Sequence, residues 1–188
     1  NNDGWLDIFV ANGHVQSYPP ELERHTPFAQ LPQLFLNRNG RRFEEISPEA
    51  GPYFQKRVVG RSSAVADFNR DGVADIAVQH LNDAPAILRN DSESAHNSVT
   101  FELIGTRSDR DAIGARVEAK LGDRAIVRLC NGSTSYLASD ERRIVIGIGE
   151  RTHLDNVTIR WPGGRRESWR FPGINGVQKL IEGRGLAE

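Results

Sequence analysis

The 188-residue chain carries 24 Lys and Arg against 25 Asp and Glu, for a net charge of −1, with 38% hydrophobic and 26% charged residues. That balance is ordinary for a globular chain, and no stretch approaches the roughly 18 consecutive apolar residues of a membrane-spanning helix. Residues 1–95 hold 9 basic and 13 acidic side chains and residues 96–188 hold 15 and 12; the basic residues alternate with acids, and this excludes the continuous basic stripe expected of a nucleic-acid binder.

In chain order, strand-like runs fall at 6–11, 33–36, 58–66, 76–79, 86–88, 99–104, 115–121, 125–130, 143–148 and 157–161. Most are short, β-branched and bounded by Gly, Asn, Asp or Pro, so the expected fold class is all-β. Val117, Ala119 and Leu121 alternate with Glu118 and Lys120, and Gly122-Asp123 then turns into a second run. This reads as a hairpin with one buried face. Pro162-Gly163-Gly164 marks another hairpin between 157–161 and 167–171. Helix signals are poor; Pro19-Pro20 suits the start of one turn over 19–24, inside a loop insertion spanning 15–32. The polar run 90–97 lacks an apolar period, and it divides the chain into expected domains 1–94 and 95–188.

The segment Asp67-Phe68-Asn69-Arg70-Asp71-Gly72-Val73-Ala74-Asp75 places three carboxylates and an amide oxygen at positions one, three, five and nine of a tight loop. Calcium takes 6 to 8 hard oxygen ligands; Asp67, Asn69, Asp71, Asp75 and the Val73 carbonyl would supply most of them, with Gly72 allowing the sharp turn. An EF-hand would end in a bidentate Glu at position twelve, which here is Val78, and its flanks would be helical where these are strand-like. The expectation is a β-hairpin calcium loop; an Asp-rich turn that binds nothing is the bland alternative, weakened by the mutual repulsion of clustered carboxylates. Asn1-Asn2-Asp3-Gly4-Trp5-Leu6-Asp7 aligns register for register with residues 69–75, and Asp3 and Asp71 are 68 residues apart. Asn1, Asp3 and Asp7 would form an incomplete second site, and a chain starting within such a loop reads as a piece of a longer repeat protein.

After each loop comes a matching phrase: residues 33–40 with 43–46, then 86–91. With the D-x-N-x-D-G-x-x-D loops, these resemble blades of the FG-GAP (VCBS-type) β-propeller repeat. The resemblance implies calcium held by Asp67, Asn69, Asp71 and Asp75, and partial propeller blades. From Asn97 the phrases Gly105–Val117, Gly132–Leu137, Gly147-Ile148-Gly149 and Val157–Gly164 resemble the ASPIC/UnbV domain, a module found after FG-GAP repeats in bacterial secreted proteins and in cartilage acidic protein. That implies a small antiparallel β-sandwich behind the blades. Asp109 and Ala138-Ser139 depart from the family pattern, and the family brings no defined chemistry to transfer.

Tests for an enzyme find little. The five histidines (14, 25, 80, 96 and 153) are scattered without zinc spacing. Ser133 and Ser135 sit outside a G-x-S-x-G elbow, and Gly147-Ile148-Gly149 lacks the third glycine of a dinucleotide loop. The single cysteine, Cys130, has no internal disulfide partner and reads as a packed side chain; Trp5, Trp161 and Trp169 read as core before a sugar-stacking platform. The expectation is a non-enzymatic, extracytoplasmic binding or adhesion module with structural calcium and an unidentified protein or glycan partner. The alternatives are an accessory part of a secreted carbohydrate-active enzyme and a structural propeller cap.

Overall fold

The computed structural model describes residues 1–17, 27–92, 96–171, 173–174 and 176–188, and the expected turn over 19–24 and the domain boundary at 94/95 lie outside them. The chain is nearly all β, as expected. β1 (Ile8–Val10), β2 (Gln33–Arg38) and β3 (Arg42–Glu45) form one antiparallel meander, and β4 (Gly60–Ala66), β5 (Asp75–His80) and β6 (Ala86–Leu88) form a second. Between them, prolines at the start of Ser47–Glu49 and Pro52–Gln55 open two short 3-10 turns. The meanders meet through paired amides of Gln30 and Val58, the Gly60 amide on the Asn12 carbonyl, and an edge-on contact of Phe9 with Phe54. Each is a three-stranded piece of blade, which suits a partial propeller.

The second half is a sandwich. One sheet runs β10 (Ile144–Gly149), β7 (Asn97–Ile104), β13 (Val177–Ile181); the other runs β14 (Leu186–Ala187), β12 (Arg166–Phe171), β11 (Leu154–Arg160), β8 (Arg116–Leu121), β9 (Arg124–Leu129). Period-two burial builds its core: Val99, Phe101 and Leu103 on β7, Val117, Ala119 and Leu121 on β8, and Ile144, Ile146 and Ile148 on β10. Both expected hairpins form, β8 with β9 and β11 with β12. Trp161 is buried in the core and meets Trp169, which is half-buried and packs against that core, at a steep angle with centroids 6.3 Å apart. β13 pairs parallel to β7, the one parallel pairing among the described strands; its sequence Val-Gln-Lys-Leu-Ile exposes Val177 and buries only Leu180 fully, too weak an alternation to read in advance.

Two buried carboxylates tie the sandwich's loops. Glu167 accepts the Gly183 and Gly185 amides and the Trp161 indole N–H, and pairs with Arg165. Glu182 accepts three successive amides, Thr106, Arg107 and Ser108, on Oε2 at 2.8–3.0 Å. Successive N–H groups of this kind make an anion-binding nest, filled here by the chain's own carboxylate.

Candidate metal centre

The loop from Asp67 to Asp75 joins two antiparallel strands whose last pair is Ala66 opposite Asp75, so its flanks are a hairpin and not the helices of an EF-hand. Gly72 (φ 84°) and Arg70 (φ 61°) both sit in the left-handed region, where Gly is free of strain and Arg is not. The loop's side chains fold back onto its own amides. Asp67 accepts Asp71 N–H on Oδ1 and Gly72 N–H on Oδ2, both at 3.0 Å. Asn69 Oδ1 accepts Asp71 N–H at 3.2 Å, and Asn69 Nδ2 donates to Asp71 Oδ2 at 2.7 Å. Asp71 Oδ1 accepts Val73 N–H at 2.8 Å. Asp67, Asn69 and Asp71 therefore stand around one turn, and Val73 joins it through its amide.

Asp75 behaves differently. It is 1% exposed, and its two oxygens accept Phe68 N–H at 3.0 Å and Asn90 N–H at 2.7 Å. Asn90 returns a bond to the Ala74 carbonyl. Asp75 is thus the staple that holds the loop to the chain just after β6 (Ala86–Leu88), and ligation would draw on the second lone-pair direction that each carboxylate oxygen keeps.

The first loop repeats this pattern. Asn1 Oδ1 accepts Asp3 N–H, Asn1 Nδ2 donates to Asp3 Oδ2, and Asp3 Oδ1 accepts Trp5 N–H. Asp7 Oδ1 accepts Asn37 N–H while Asn37 Nδ2 donates to the Leu6 carbonyl. Asn2 (φ 59°) and Gly4 (φ 85°) copy the backbone of Arg70 and Gly72. Burial pushes the Asp7 carboxyl above its usual range, against the lowering effect of the Asn37 amide. Asn1, Asp3 and Asp7 thus stand in this turn where Asn69, Asp71 and Asp75 stand in the other.

The two loops adjoin. Asn2 Nδ2 donates to the Gly72 carbonyl, which also accepts the Ser98 hydroxyl at 2.8 Å. Both loops also seat on the sandwich: Asp67 N–H donates to Glu141, Gly149 N–H donates to the Asn2 carbonyl, and the Arg124 guanidinium lies 3.6 Å over the Trp5 ring while donating to the Gly4 carbonyl. A Cβ on Gly147 would stand 2.5 Å from the Asn2 backbone, so only glycine permits this approach. Asn37, Asn90, Ser98 and Glu141 were not singled out from the sequence as site residues. Asn37 and Asn90 had a signal, recurring at the same place in the two phrases after the loops; Ser98 and Glu141 had none, because they come from the other half of the chain.

In donor chemistry the turn offers carboxylate and amide oxygens with no imidazole or thiolate, which fits a hard cation of the calcium type. Among the described residues no group of three or more His, Cys, Asp or Glu side chains is gathered to hold a metal; two carboxylates and an amide meet at the turn while Asp75 points to the hairpin base. Cys130 is 2% exposed, its thiol is pushed up by burial, and its sulfur points to the Asp111 carbonyl, the environment of a packed side chain. His80 is held between the Tyr53 hydroxyl and the Ala84 carbonyl, and burial pushes the Tyr53 hydroxyl up to about 12. His25 lies outside the described residues.

Residues 1–78 match the model of an FG-GAP-like repeat, and residues 105–187 match the model of the ASPIC and UnbV domain. No curated protein matches the chain significantly. The chain therefore joins an FG-GAP-like repeat to an ASPIC/UnbV segment, in the order that the sequence resemblance implied. Among the described residues no helix is long and apolar enough to cross a membrane.

Proposed function

We propose that this FG-GAP-like repeat and its ASPIC/UnbV partner act as a calcium-stabilised, extracytoplasmic binding module and not as an enzyme. The observation that carries this reading is the doubled Asp-Gly loop, two turns with the same hydrogen-bond register seated side by side on the sandwich. Calcium would be held by Asp67, Asn69, Asp71, the Val73 carbonyl and Asp75, with Asn1, Asp3 and Asp7 as a weaker second position. The cation would neutralise carboxylates that otherwise repel one another, and would stiffen the loop against Glu141 and Ser98. Extracellular modules bind calcium at about 10⁻⁴ to 10⁻³ M, so such a loop fills outside a cell and stays empty in cytosol. Free calcium about tenfold above the dissociation constant adds about 1.4 kcal/mol, or roughly 4 °C in Tm for a chain of this size. Thermal melts with calcium and with EDTA check this; identical melts in the two, or an equal shift in Asp71→Ala, would sink it.

A second reading, a structural cap on the blades, is favoured by one observation. The segment 135–141 runs along β4, with Ser63, Val65 and Asp67 N–H donating to Ser135, Asp140 and Glu141 and the Glu141 amide returning to the Val65 carbonyl. It covers a sheet edge that would otherwise offer unpaired amides to another chain. Asp140→Ala should then raise aggregation of the native protein on static light scattering with little loss of Tm; unchanged scattering would count against the cap.

A further inference from the structure

A cleft of about 630 Å³ opens where the second Asp-Gly loop faces the sandwich, within the size range of small-molecule sites. Arg70 enters it from the loop, between Asn69 and Asp71; Arg110, Arg142, Arg143 and Lys179 enter from the sandwich. Three of these five cations are already paired, Arg142 with Asp111, Arg143 with Glu141 and Lys179 with Glu102. Arg70 and Arg110 have no side-chain partner among the described residues. Two unpaired guanidiniums in one cleft, with three carboxylates interspersed, make a lining that is both cationic and rich in acceptors. The remaining wall is aliphatic, from Leu103, Ile104 and Val177, and among the described residues no aromatic ring lines the cleft.

We propose that this cleft binds an acidic oligosaccharide, with Arg70 and Arg110 taking its acidic groups. Guanidinium forks match carboxylate and sulfate oxygens bidentately. Glu102, Asp111 and Glu141 accept hydroxyl protons, which a sugar has in plenty and an acidic peptide side chain lacks; they repel a ligand made only of acceptors. The absence of a stacking ring disfavours neutral sugars and unpaired bases, so charge and hydroxyl pattern carry recognition. This deepens the binding-module reading and rests on it, but not on the cation loop, since Arg70 and Arg110 are placed by the backbone as it stands.

The test is calorimetric titration of the 188-residue protein with an oligogalacturonate, a sulfated chondroitin oligosaccharide, a neutral cello-oligosaccharide of equal length and a poly-glutamate peptide, with calcium present and with EDTA. One or both acidic sugars should bind and the neutral sugar should not, the tighter of the two naming carboxylate or sulfate as the recognised group. Arg70→Asn, which installs the residue that the first loop carries at φ 59°, and Arg110→Gln should each weaken binding about tenfold, the loss of one charge-assisted contact, with Tm not lowered because both side chains are exposed and Asn suits the left-handed backbone better than Arg. Failure of both acidic sugars to bind, indifference of binding to the double variant, or equally tight binding of poly-glutamate would each overturn the proposal. A missing calcium effect with sugar binding intact would fault the cation reading alone.

Discussion

Glu167→Ala is expected to destabilise the sandwich by about 3–5 kcal/mol, the cost of removing one partner from a buried ionic network. Glu167 is 0% exposed on β12, between β14 and β11. Its oxygens gather the Gly183 amide at 2.9 and 3.0 Å, the Gly185 amide at 3.4 Å and the Trp161 indole N–H at 3.3 Å, beside the Arg165 guanidinium. Alanine removes the shared acceptor of all of these donors, leaving the buried Trp161 indole N–H unpaired, and empties the space that the carboxylate fills. At about 2–4 °C per kcal/mol for a chain of this length, Tm should fall by about 10 °C or more. Glu167→Gln keeps one acceptor oxygen but turns an NH₂ toward the other donors, so it should fall between. Urea or thermal melts followed by far-UV circular dichroism measure both; an alanine variant within about 1 kcal/mol of the parent would show that the network does not hold the fold.

Glu182 gives the second large effect, and it depends on pH. Burial pushes its carboxyl up, but the amides of Ser108, Arg107 and Thr106 and the Ser108 hydroxyl outweigh burial and hold it down at about 2. A folded-state pKa below the ordinary carboxylate value means that the charged form favours folding. The stabilisation is therefore complete above roughly pH 5, where the unfolded chain is also ionised, and drains away as pH falls toward about 2. Glu182→Gln, which keeps the shape without the charge, should cost about 2–3 kcal/mol at neutral pH, since several hydrogen bonds lose a charged acceptor. Its penalty should shrink steadily on acidification. Equilibrium unfolding from pH 7 to pH 3 decides this: parallel stability curves for parent and variant across that window would contradict it.

Most of the architecture is legible in local pattern. Period-two runs such as Val117-Glu118-Ala119-Lys120-Leu121 and turn pairs such as Gly122-Asp123 encode the hairpins directly, because both signals are short-range. The D-x-N-x-D-G-x-x-D loops are equally local, and their backbone repeats residue for residue between Asn1 and Asn69. What the sequence conceals is long-range. β13 joins β7 in parallel across more than 70 residues, and its polar Gln178 and Lys179 hide the strand from an alternation test. Trp5 reads as core on composition alone, yet it is a half-exposed ring capped by Arg124 from the other half of the chain. Asp75 reads as a ligand like its neighbours, but burial and the Asn90 amide give it a second task as the hairpin staple. Glu167 and Glu182 carry no motif at all; only the fold reveals that isolated glutamates near the C-terminus organise loops on which the sandwich closes.

The proposed cation role is tested most directly by counting calcium. Equilibrium dialysis of the 188-residue protein should find about one calcium per chain, saturating in the 10⁻⁴ to 10⁻³ M range of extracellular modules, from the loop that has all its positions, Asp67 to Asp75. Asp71→Ala removes the carboxylate that both Asn69 and Val73 contact and should abolish that binding while leaving the sandwich's circular dichroism intact. No saturable calcium binding at millimolar concentration, or binding that survives Asp71→Ala, would contradict the assignment.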